Sequence, residues 1–115
     1  MTDSSILKEQ KVRQFRKGVL ELAILKIIST KECYGYHIVE TLKQNEMNIS
    51  EGTVYPILSR LKDEEVIGYR WEESSKGPPR KYYLLTEKGQ ELLQMLLGEW
   101  RAMNRGLDKI LGEKS

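Results

Sequence analysis

Three short stretches of this 115-residue chain hold the side chains able to do chemistry. Thr53, Tyr55, Pro56, Ser59, Arg60 and Lys62 fall in one run, Lys76, Gly77, Arg80 and Lys81 in a second, and Tyr36 and His37 open a third. Hydroxyl, ammonium and guanidinium groups are hydrogen-bond donors suited to phosphate oxygens and to base edges. Catalysis has no comparable signature. No nucleophile–base pairing or phosphate-cradling glycine loop is visible, and the single histidine has no metal-ligand companions. The expectation is a binding protein rather than an enzyme, with no metal and no cofactor.

Charge supports that reading through its placement. The net charge is only +2, but Lys8, Lys11, Arg13, Arg16 and Lys17 cluster near one end, and Lys76, Arg80 and Lys81 form a second basic patch without an acid. Acids gather elsewhere, at Asp63-Glu64-Glu65 and from Glu87 to Glu91. Regional positive charge of this kind is an electrostatic footprint for a polyanion. Charged residues make up 31% and apolar ones 39%, which is the balance of a folded domain. One cysteine, Cys33, allows no intrachain disulfide. With no signal-peptide pattern and no apolar run long enough to span a bilayer, a cytoplasmic protein without membrane contact is expected.

The elements that must position these groups follow from periodicity. Residues 1–16 read as an N-terminal arm or short helix with a broken stripe of Ile6, Leu7, Val12 and Phe15, packing once the rest has folded. Residues 17–86 form the next unit. Leu20, Ala23, Ile24, Ile27 and Ile28 mark one buried helical face, and Ile38, Val39 and Leu42 mark a second helix from Tyr34-Gly35 to Gln44-Asn45. Val54, Ile57, Leu58 and Leu61 mark a third, capped at either Ser50 or Thr53, because Pro56 sits awkwardly in the second turn if Ser50 is the cap. Ile67–Glu72 and Arg80–Leu85 alternate as two strands, joined by the turn-rich SSKGPPR, so a hairpin with a basic tip is expected. Residues 87–115 hold one long helix after the Thr86-Glu87 start. Its residues Leu93, Leu96, Trp100, Met103, Leu107 and Ile110 follow a heptad-like seam expected to form a dimer interface.

The fold class this implies is mainly α with a small β-hairpin, a winged helix-turn-helix followed by a long C-terminal dimerisation helix. A helix can enter the major groove while the hairpin reaches phosphates beside it. Tyr55 is the foremost candidate contact, with Tyr36 and His37 meeting a phosphate at the start of the second helix. The competing reading is a winged-helix protein–protein interaction module without DNA binding, and the basic hairpin argues against it.

Tyr34-Gly35-Tyr36, the run Glu51-Gly52-Thr53-Val54-Tyr55-Pro56-Ile57-Leu58, and Gly77-Pro78-Pro79-Arg80-Lys81-Tyr82-Tyr83 leading to Leu85-Thr86 and Gly89 resemble the PadR family of bacterial transcriptional regulators. The likeness runs from about Lys17 to Leu111, and the length resembles the short form with a single C-terminal helix. It implies a homodimeric repressor of operator DNA, often acting on its own operon and neighbouring transport or stress genes, and released by a small molecule or another signal. His37 departs from the family, which usually carries an acid after Tyr-Gly-Tyr. Trp100 lies mid-seam, where a two-fold pair of indoles would accept a planar aromatic effector; the plainer reading is an interface anchor.

Overall fold

The computed structural model describes residues 4–74 and 76–112. Its first helix, α1, runs unbroken from Ser4 to Thr30, so the expected boundary at residue 17 does not interrupt it. The N-terminal half is rich in Lys, Glu, Gln, Arg and Leu, residues of good helix propensity, and continues the helix without any core to rest on. Ile6, Leu7, Val12 and Phe15 are all exposed, Phe15 at 80%, so this stripe does not pack on its own domain as expected. The C-terminal half turns Leu20, Ile24, Leu25 and Ile28 inward.

A two-residue strand, β1 (Cys33–Tyr34), leads into α2 (Gly35–Gln44) and then α3 (Glu51–Asp63). Two longer strands follow, β2 (Ile67–Ser74) and β3 (Gly77–Leu85), before α4 (Glu87–Leu111). The sheet has the order β1-β3-β2 and is antiparallel throughout. Cys33 opposes Tyr83, while Tyr69 opposes Tyr83 from the other side and Arg70 opposes Tyr82. The hairpin is longer than its sequence indicates, because residues 73–74 extend β2 and residues 77–79 extend β3. A register irregularity between Glu72 and Ser74 lies opposite Pro78-Pro79, which have no N–H to give a ladder.

Ile24, Leu25, Ile38, Leu42, Leu58 and Leu61 are fully buried where the three helices meet the sheet. Each such side chain contributes about 1.5–3 kcal/mol relative to exposure. Ser50 is the residue before α3 by backbone geometry, and its carbonyl accepts from Thr53 and Val54 N–H groups at 3.0 and 3.1 Å. The helix therefore starts at the earlier of the two candidate caps. Pro56 lies inside it, leaving the Gly52 carbonyl without its helical donor.

The start of α4 is fastened to the turn that ends α3. The Thr86 hydroxyl accepts the Gly89 N–H at 3.0 Å and donates to the Glu65 carbonyl at 2.7 Å. Thr86 N–H reaches the Val66 carbonyl at 3.2 Å, and Lys88 Nζ donates to the Glu64 carbonyl at 3.0 Å. Gly89 is required here: a Cβ at that position would lie 1.9 Å from the Val66 carbonyl oxygen.

Candidate nucleic-acid interface

Tyr55, Pro56 and Ser59 lie on the outer face of α3, and Thr53 is exposed at its start. The face exists because Val54, Ile57, Leu58 and Leu61 commit the opposite side to the core. Tyr55 is more than a projecting group. Its ring lies over Gly35 so closely that a Cβ there would be 2.7 Å from Cε1 and from the hydroxyl. The glycine between Tyr34 and Tyr36 thus lets the α3 tyrosine seat against the first residue of α2. Burial, then the nearby Glu51 charge, raise the Tyr55 phenol above its ordinary value, so it stays a neutral donor at physiological pH.

Arg60 and Lys62, on the flanks of α3, differ in what they can offer. The Arg60 guanidinium donates to Glu21 of α1 at 3.0 Å, which holds it against its own domain. Lys62 approaches Asp63 only at 4.0 Å, a loose pair on an exposed surface. Its ammonium also lies 5.9 Å from the centre of the Tyr69 ring.

The strand alternation divides the wing. Arg80 and Lys81 are consecutive residues of β3, so they point to opposite faces of the sheet, and of the two cations expected in the connecting turn, Lys76 and Arg80, only Lys76 stands at the tip. Arg80 turns toward α2, its guanidinium 5.8 Å from the Tyr34 ring centre and 5.4 Å from that of Tyr36. The Tyr36 and His37 rings are 4.3 Å apart beside it, both exposed. Lys81 turns toward α3, 4.6 Å from the Tyr69 ring centre and 5.7 Å from that of Trp71. Among the described residues Lys76, Arg80 and Lys81 make no salt bridge. Arg70, by contrast, is held by Glu32 and Glu72, and these hydrogen bonds raise its pKa further.

Two contributors escaped the sequence reading. Tyr69 gathers Lys62 and Lys81 around one ring, and Tyr34 supports Arg80. Tyr34 and Tyr69 lie on other strands than Arg80 and Lys81, so these contacts exist only once the sheet has formed.

The C-terminal seam also divides. Leu93 is 1% exposed and belongs to the domain's own core, and Leu96 packs against that core, so these two face inward rather than toward a partner. Trp100, Met103, Leu107 and Ile110 are exposed, Ile110 at 82%. The physical reason is position: the first turns of α4 lie against α1 and the sheet, and the rest of the helix extends past them. No helix among the described residues is long and apolar enough to cross a membrane.

This arrangement matches known proteins along most of its length. Residues 24–95 match the model of the transcriptional regulator PadR-like family. Transcriptional regulator YqjI of Escherichia coli is 36% identical over 85 residues, covering 71% of this chain and 39% of that regulator. The solved PadR-like transcription factor of Bacteroides fragilis is 40% identical, with a TM-score of 0.78 over 88% of this chain and 98% of that one. A PadR-like transcriptional regulator of Bacillus cereus is 39% identical, with a TM-score of 0.75 over 88% and 99%. Such proteins regulate transcription and are not enzymes, and the chain, a winged helix-turn-helix with a long C-terminal helix, belongs to the PadR-like family of transcriptional regulators.

Proposed function

We propose that this regulator is a homodimeric repressor that binds operator DNA sequence-specifically and leaves it when a signal arrives. The observation that carries the reading is the unpaired cationic wing beside an exposed α3 face. Thr53, Tyr55, Pro56 and Ser59 address the major groove and the phosphates at its edge, and Tyr36, His37, Arg80, Lys81, Lys76 and Gly77 follow the backbone. Lys62 joins them from the flank, while Arg60 contributes mainly by fixing α3 to α1. Two such units on a two-fold axis meet half-sites one DNA turn apart, about 34 Å.

The test is a gel shift on the DNA upstream of the protein's own gene, repeated across salt concentrations. Affinity is expected to fall steeply with salt, and Arg80→Ala with Lys81→Ala should flatten the slope by about one unit per lost phosphate contact. Binding that ignores salt, or an unchanged slope in the variant, removes the wing from the interface and favours a protein-binding module instead.

Trp100, exposed on the part of α4 that its own domain leaves bare, supports a planar aromatic effector held near the dimer axis. Quenching of tryptophan fluorescence by flat dyes should survive Trp71→Ala and vanish in Trp100→Ala. Equal quenching in both variants would leave Trp100 as an interface anchor.

A further inference from the structure

The cleft between α3 and the wing holds an arrangement that the domain alone does not balance. It encloses about 250 Å³ and is lined by residues of both elements. Lys62 from α3 and Lys81 from β3 converge on one ring, Tyr69, at 5.9 and 4.6 Å from its centre. Both line the same cleft, so the two ammonium groups repel one another there. The ring face offsets part of that repulsion. Asp63 offsets little more, since it meets only Lys62 and at the 4.0 Å limit of a salt bridge.

The cleft also offers neutral donors. Ser59 supplies an exposed hydroxyl, and Tyr55 and Tyr83 line the same cleft, the Tyr83 phenol close enough to feel the Tyr55 charge. Tyr83 is buried as a residue, yet its hydroxyl has no hydrogen-bond partner among the described residues and is not sealed from solvent, so it opens into the cleft. Burial raises the Tyr83 phenol, with Tyr55 and Tyr69 adding to the effect, which keeps it protonated and able to donate. Two lysine ammonium groups, hydroxyls able to donate and, among the lining residues, Asp63 as the single carboxylate describe a seat for a tetrahedral oxyanion. At about 30 Å³ per water, the space admits a phosphate group with several waters around it.

We propose that Lys62 and Lys81, with Ser59 and Tyr55, jointly hold one phosphodiester of the DNA backbone, joining the recognition helix to the wing through a shared phosphate. The inference rests on the DNA-binding reading above and sharpens it. Separate contacts would let each lysine act alone; a shared phosphate couples them.

The experiment is a double-mutant cycle on the full chain with Lys62→Ala, Lys81→Ala and the pair, measuring affinity for the upstream DNA across salt. Each single change should weaken binding by about five- to tenfold and lower the salt slope by about one unit, and the pair should cost little more than either alone. Losses that multiply, or a single change without effect, would overturn the shared seat while leaving DNA binding intact. Asp63→Asn should tighten binding two- to fivefold by removing a charge beside the phosphate. A second readout needs no DNA: titration with inorganic phosphate should shift the backbone amide signals of Ser59, Lys62 and Lys81 in the parent and not in the pair. If the parent binds no DNA, the functional reading fails and this titration still decides the seat; amides that stay unmoved in the parent reject it.

Discussion

Two glycines that look alike in the sequence do different work, and the contacts around them separate stability from function. A Cβ on Gly35 meets the far end of the Tyr55 ring, which can swing away, whereas a Cβ on Gly89 meets a backbone carbonyl that cannot. Gly35→Ala is therefore expected to change unfolding free energy by less than about 1 kcal/mol, since alanine's better helix propensity offsets the crowding. It should nonetheless weaken DNA binding by displacing Tyr55, and Tyr55→Ala should add little further loss in that background. Urea denaturation and gel shifts check the two halves separately; a large loss of stability with unchanged DNA affinity would reverse the assignment. Cys33 shows a quieter residue effect. Burial in the core raises its thiol despite the neighbouring Lys31, in keeping with a small apolar residue rather than a reactive one.

At the level of elements, the turn that ends α3 and the start of α4 are joined by three hydrogen bonds, from Thr86 N–H, the Thr86 hydroxyl and Lys88. Thr86→Ala removes both the helix cap and the bond to Glu65, and should cost about 1–2 kcal/mol in urea denaturation. Gly89→Ala should cost about 3 kcal/mol or more, because either α4 or the start of β2 must move. A Gly89→Ala protein as stable as the parent would show that the junction is looser than its distances indicate. Much of this architecture was legible: α2 and α3 and both hairpin strands follow from apolar spacing, and Thr86 announced the start of α4. β1 was not, since two residues are too few to show alternation, and its pairing with Tyr82 and Tyr83 arises only once the chain has folded back. The alternation already put Arg80 and Lys81 on opposite faces of a strand, but not that one face meets α2 and the other α3, which depends on how the hairpin folds back.

Across the whole molecule, the heptad spacing from Leu93 to Ile110 was visible, but not where the domain's own core stops claiming it. Leu93 and Trp100 are one heptad apart and meet opposite fates, because only the first lies over α1 and the sheet. A dimer test is therefore best made beyond that point. Leu107→Asp with Ile110→Asp alters only exposed positions, so the domain should stay folded while sedimentation at micromolar concentration gives monomers. Dimers that persist would move the interface elsewhere, with the bare stripe of Ile6, Leu7, Val12 and Phe15 on α1 the next surface to test. The fastening of α4 at its base has a mechanical consequence. Packing on the core ends near Leu97, so residues 98–111, roughly 21 Å at 1.5 Å per residue, form a lever whose base is fastened to the turn that ends α3. Each degree of tilt at that base sweeps the free end through about 0.4 Å over that length. Conversely, a push of an ångström or two on the free end turns the base of α4, and the end of α3 joined to it, by only a few degrees.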